Sequence, residues 1–119
     1  EERYVPLAFE EVCRQYLIRQ NRAGLLEEPF DAIGRYHYDN PREHTNGEFD
    51  VVTHDSKGYV FYEAKFRKAP ITDAMIQQEI SQVQKTGLAC HGYGFFSRSG
   101  FDARPRRNVR LIGLDELYR

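Results

Sequence analysis

Hydrophobic and polar positions alternate along this chain with two different periods. Residues 1–6 read as a short lead-in ending at Pro6. From Leu7 to about Gln20, Phe9, Cys13, Tyr16, Leu17 and Gln20 recur at helical spacing, with a proline at the start where the first turn favours one. Asn21 to Glu28 continues or ends that helix. Gly24 is the expected stop, and Leu25 and Leu26 are expected to dock on the core. Phe30 to Tyr38 alternates weakly through Ile33, Tyr36 and Tyr38 and reads as a strand. Asp39 to Gly47 is dense in turn residues and reads as a loop. Two apolar runs, Phe49–Thr53 and Tyr59–Tyr62, flank Asp55-Ser56-Lys57-Gly58 and predict a β-hairpin. Ala69 and Pro70 break the second strand. Thr72 or Asp73 then caps a helix to about Thr86, with Ile76, Ile80 and Val83 inward and Gly87 at its end. His91–Ser97 reads as a strand, Ser99–Asn108 as an arginine-rich loop, Val109–Ile112 as a short strand, and Asp115 as the cap of a terminal turn. The order predicts one α/β domain over residues 1–119. Its mixed sheet has three antiparallel strands, a crossover helix and further strands, flanked by helices.

Composition narrows this picture. The chain has 119 residues, 40% hydrophobic and 13% aromatic, which supports a modest core and argues against disorder. No apolar run approaches membrane-spanning length and no signal peptide opens the chain. The first residue is Glu1 rather than Met, as expected of a piece of a longer protein. Cys13 and Cys90 give neither a disulfide framework nor zinc spacing, so reduced thiols in a cytoplasmic protein are the expectation. His37, His44, His54 and His91 are scattered, and ordinary histidines are a better reading than a zinc site. Net charge is −1, yet the cations are clustered. Lys65, Arg67 and Lys68 follow the hairpin. Arg98, Arg104, Arg106, Arg107 and Arg110 lie near the end. Such runs are often solvated faces, and here contact with a phosphate backbone is weighed slightly above that.

The hairpin carries the candidate chemistry. Side chains two apart in a strand share a face, so Glu63 and Lys65 point the same way. A turn centred on Ser56 and Lys57 sets Asp50 across from Glu63; one centred on Lys57 and Gly58 sets it across from Lys65. Either register puts Asp50, Glu63 and Lys65 on one face, and an odd-length loop would break this. Two carboxylates at facing positions suit a hard cation such as magnesium or manganese, with the carbonyl of Ala64 as a further oxygen. Such an ion polarises a phosphodiester and lowers the pKa of water, while Lys65 orients that water or stabilises charge on the phosphate. Glu10, bordering the apolar face beside Cys13 and Leu17, is a further acid. An acid-x-lysine triplet alone is weak evidence, because charges at strand ends are usually a solvated rim. Its place after an apolar strand, with an acid one strand earlier and another on the preceding helix, raises its weight. No phosphate-cradling glycine loop is present, so nucleotide triphosphate is not expected to bind this segment. Gln77, Gln78, Gln82 and Gln84 read as a solvated helix face, and Tyr16, Tyr36, Tyr59 and Phe95 as core. Ser97 has no readable triad partners.

With Asp50 as first acid, Glu63-Ala64-Lys65 as triplet and Glu10 on the first helix, the pattern resembles the PD-(D/E)xK, or restriction-endonuclease-like, nuclease superfamily. Phe49 stands where that motif has proline, a position without chemical role. The resemblance covers nearly the whole chain and implies Mg2+- or Mn2+-dependent hydrolysis of DNA. Narrower likeness lies in Phe9-Glu10-Glu11-Val12-Cys13, Gly47-Glu48-Phe49-Asp50-Val51-Val52, the Glu63-Ala64-Lys65 strand and Phe96-Ser97-Arg98-Ser99-Gly100-Phe101. These segments are similar to a C-terminal domain of unknown function in archaeal-type ATPases. That resemblance implies an N-terminal P-loop ATPase module in the same polypeptide, with ATP bound there and not here. The alternatives are a catalytically inactive nucleic-acid-binding or regulatory module, and a protein-interaction domain whose Glu63–Lys65 pair is structural. A homo-oligomer stays open.

Overall fold

The computed structural model describes residues 4–119, so the first half of the lead-in read over residues 1–6 lies outside the described residues. Helix α1 spans Leu7–Arg22. It turns Phe9, Cys13, Tyr16 and Leu17 inward, as their spacing dictates. Gly24 ends it in the left-handed region (φ 69°). The amides of Gly24 and Leu25 return to the carbonyls of Asn21 and Gln20, closing a Schellman turn. Leu25 does not dock on the core: it is 67% exposed just beyond that turn, and only Leu26 is half-buried.

Strands β1 (Phe30–Asn40), β2 (Thr45–Asp55) and β3 (Gly58–Lys65) form an antiparallel meander. The expected loop over 39–47 shrinks to residues 41–44, because β1 and β2 keep pairing to Asn40↔Thr45. The β2–β3 turn centres on Ser56 and Lys57, as Asp55 pairs with Gly58. Gly58 is required there: it lies at φ 128°, and a Cβ would strike the Ala89 carbonyl. Two-residue β4 (Ile71–Thr72) leads into helix α2 (Asp73–Gln84), whose amide at Met75 is capped by the Thr72 hydroxyl. Strand β5 (Cys90–Ser97) then pairs parallel with β3, and β7 (Val109–Gly113) parallel with β5. Between them β6 (Phe101–Asp102) pairs with β4 in a small second sheet that the loop reading missed. Short helix α3 (Leu114–Leu117) closes the chain. Its N-cap is Gly113, not Asp115, which sits in the first turn.

The main sheet runs β1-β2-β3-β5-β7 and is mixed. Period-two alternation divides its side chains between two helices. Val51, Tyr62, Phe96 and Ile112 pack under α1 and against Leu117. Val52, Phe61 and Phe95 face α2, which presents Ile76, Ile80 and Val83. Adjacent residues on β3 (Phe61, Tyr62) and β5 (Phe95, Phe96) thus serve opposite cores. Tyr16 and Phe95 are buried as expected, while Tyr36 on edge strand β1 and Tyr59 at the start of central strand β3 are only half-buried. No helix among the described residues is long and apolar enough to cross a membrane.

Candidate active site

The charged triplet sits where β3 leaves the sheet. Lys65 Nζ stands 3.3 Å from the Glu63 carboxylate, and each side chain keeps 28% of its surface exposed. Backbone contacts fix this strand end. The amide of Arg98 donates to the Lys65 carbonyl at 3.0 Å, and Ser99 Oγ donates to the Arg67 carbonyl at 2.6 Å. Glu63 and Lys65 share one face, as alternation requires.

Asp50 departs from the expected face. Between Gly34↔Val52 and Tyr36↔Phe49, β1 advances two residues while β2 advances three. The extra residue is a β-bulge, and it resets the alternation. Phe49 therefore packs with Val52 and Phe61 on the α2 side, while Val51 joins the α1 core. The β2–β3 ladder ends at Val51↔Tyr62, one step short of Asp50. Asp50 instead hydrogen-bonds the carboxyl of Glu10 on α1. The expectation that strand geometry alone sets Asp50 beside Glu63 and Lys65 is corrected accordingly. The acid still acts on Glu63 through space, as does Glu10.

Glu10 is buried in the first turn of α1, at 7% exposure. Burial pushes its carboxyl above the usual range, and Asp50 adds to that push. Arg35 and Arg14 oppose it. Their guanidinium groups lie 3.1 and 3.4 Å from Glu10 Oε1. Burial also raises Glu63, with Lys65 opposing, and Asp50 and Glu10 reinforcing the rise.

A cavity of about 510 Å³ opens between β3 and α2, walled by Glu63, Lys65, Arg67, Gln78, Glu79 and Gln82. Glu79 is the residue that sequence reasoning missed. Desolvation and the nearby charge of Glu63 push its carboxyl up to about 8, against Lys65. It lies three residues after Ile76 and four before Val83, on the margin of the buried stripe. The same argument that selected Glu10 could have found it. Gln78 and Gln82, read as solvated, line this cavity too, whereas Gln77 bonds Ser81 and Arg106.

The basic residues divide. Lys68, Arg98, Arg104, Arg106 and Arg107 are exposed, and Arg67 lines the cavity with Nη1 2.9 Å from Met75 Sδ. Arg98 stacks over Phe66, 4.7 Å from its centroid. Arg110, grouped with them by sequence, turns away to Glu116 and Tyr16 at the other end of the sheet. Both cysteines are free, and burial lifts the Cys13 thiol to about 12, which makes it inert as a nucleophile.

Asp50, Glu63 and the Ala64 carbonyl are hard oxygen donors of the type magnesium and manganese select. Among the described residues, no three His, Cys, Asp or Glu side chains stand close enough to cage a cation. The donor set fits a hard ion that keeps much of its water and takes one or two carboxylates, as magnesium commonly does.

Residues 1–83 match the profile of DUF234, described as archaeal and bacterial proteins of unknown function. The chain belongs to this family. Membership in DUF234 names no activity. No curated protein matches the chain. Its fold is similar to the crystal structure of a protein of unknown function, AF1548, with a TM-score of 0.51 at 12% identity. The alignment covers 89% of this chain and 64% of that one, so this DUF234 chain spans less than two thirds of its structural neighbour. At that identity the likeness shows the fold alone.

Proposed function

We propose that this domain hydrolyses phosphodiester bonds in DNA with the help of Mg2+ or Mn2+, on a restriction-endonuclease-like scaffold. One observation carries the reading: acids from α1 and β2 hydrogen-bond each other and act on the Glu63–Lys65 pair of β3. Asp50, Glu63 and the Ala64 carbonyl would hold the cation, and Glu10 would support Asp50 from behind. When bound, such a cation polarises the scissile phosphate and lowers the pKa of water. Lys65, kept beside Glu63, donates to the attacking water or to the phosphate oxygens where charge develops. Arg67, Lys68, Arg98, Arg104, Arg106 and Arg107 are the cations for the DNA backbone. The helix–three strands–helix–strand order and the mixed sheet support the scaffold assignment. The resemblance to ATPase tail domains supports a cytoplasmic P-loop ATPase as the rest of the polypeptide, with ATP on that part.

The test is cleavage of DNA by the purified domain in magnesium or manganese. Asp50→Asn and Lys65→Ala should each reduce cutting by roughly a hundredfold or more with the fold intact. Unchanged cutting in both variants removes the assignment.

A second reading is a nucleic-acid-binding or regulatory module without catalysis. The pairing of Glu10 with Arg35 and Arg14 favours it, since those guanidinium groups offset the buried acid without a metal ion. Titration with magnesium that shows no site, together with salt-sensitive DNA binding, would select this reading.

A further inference from the structure

A second cavity, of about 520 Å³, lies away from the acid cluster, at the end of the sheet where β2 meets β3 and where β5 and β7 begin. Its base is Asp55, 2% exposed. Both Asp55 oxygens lie 2.8 Å from His91 Nε2, and Oδ1 also accepts the Lys57 amide at 2.8 Å. A buried carboxylate so placed makes Nε2 the proton-bearing nitrogen and holds the ring in one orientation. The other ring nitrogen, Nδ1, has no hydrogen bond among the described residues.

Arg110, Lys57 and Tyr62 bring hydrogen-bond donors to the cavity. The Tyr62 hydroxyl hydrogen-bonds Thr53 and feels the charge of Arg110. Arg110 uses a single nitrogen, Nη2, for both Tyr16 and Glu116, each at 2.6 Å. Its Nε and Nη1 have no hydrogen bonds among the described residues. Lys57 Nζ reaches Glu28 at 3.6 Å and remains 59% exposed. The acids are already answered: Asp55 by His91, and Glu28 by Lys57 and Ser56. Glu27 is exposed among the lining residues. Val60 and Val109 supply apolar wall. A half-open cavity with a guanidinium edge, a hydroxyl and an exposed ammonium that shares only one long contact with Glu28 suits a tetrahedral oxyanion with several acceptor atoms.

We propose that this cavity binds a phosphate group, gripped by Arg110, Lys57 and the Tyr62 hydroxyl, with the free lone pair of His91 Nδ1 accepting the proton of a P–OH group. The site is independent of the nuclease reading, because it shares no residue with the acid cluster.

The experiment is calorimetric titration of the domain with inorganic phosphate and with ribose 5-phosphate. Wild-type protein should show saturable binding of at least one of them. Lys57→Gln and His91→Asn should weaken it by roughly tenfold or more, the effect of losing a charge-assisted hydrogen bond. Lys57 is exposed in a turn, so its variant stays informative if His91→Asn fails to fold. Lys65→Ala, in the other cavity, should leave binding unchanged. Tighter binding of ribose 5-phosphate identifies a phosphate monoester as the occupant; equal binding identifies the free ion. Absence of saturable binding of both, survival of binding in the two cavity variants, or its loss in Lys65→Ala overturns the proposal.

Discussion

Glu10 of α1 and Asp50 of β2 hydrogen-bond through their carboxyl groups, forty residues apart in the chain. Two carboxylates cannot do this without a shared proton, and a cation that takes Asp50 must displace it. Under the metal-dependent reading, magnesium binding should strengthen as pH rises through the raised titration of Glu10. Calorimetry in two buffers of different ionisation enthalpy would measure the released proton. Glu10→Gln should lose that proton release. Metal binding with no pH dependence would contradict the arrangement.

Arg35 offsets Glu10 from β1 across 3.1 Å, but it is 63% exposed. Solvent screening keeps its worth below about 1 kcal/mol. Arg35→Ala should lower stability at pH 7 by that order, and by less at pH 4, where Glu10 is protonated and needs no counterion. Urea melts at the two pH values would show the difference. An equal loss at both would mean that Arg35 acts through packing instead.

Glu79 sets a pH trend in stability. Its carboxyl is raised from the ordinary 4.5 to about 8, so the folded state holds its proton more tightly than the unfolded chain. The stability this provides is complete below about pH 4.5 and is lost as pH rises through about 8. Glu79→Gln should flatten the decline between those values and leave the variant more stable than wild type at pH 9. Denaturation midpoints across that range are the measurement; an unchanged slope would show that Glu79 is not held away from water.

Gly94 faces the ring of Tyr62 across the β3–β5 ladder, and a Cβ there would enter the ring atoms. Tyr62 is 7% exposed and cannot swing clear. Gly94→Ala should cost about 1–3 kcal/mol, the range for overpacking a core. It should also weaken phosphate binding by displacing the Tyr62 hydroxyl. A variant as stable as wild type would show that Tyr62 has room to move.

Much of the architecture was legible in the chain because period and turn chemistry act locally. Phe9, Cys13, Tyr16 and Leu17 announce α1, Thr72 caps α2, and Ser56-Lys57 closes the hairpin in one of the two registers anticipated. The same locality exposed Glu63 and Lys65 as a same-face pair. Strict alternation also put Asp50 on that face, and there it failed. A single extra residue in β2 reverses the direction of every side chain before it, and the pattern Phe49-Asp50-Val51-Val52 does not reveal a bulge.

By itself, then, the order of residues determined which elements form and which charged groups border their buried stripes, since both depend on neighbours within a turn or a strand. Only the tertiary structure decided that Glu10 meets Asp50, that Arg35 answers Glu10, that Glu79 crosses from α2 to Glu63, and that His91 closes on Asp55. These pairings join distant segments, and their existence depends on how the sheet bulges and how two helices lie across it.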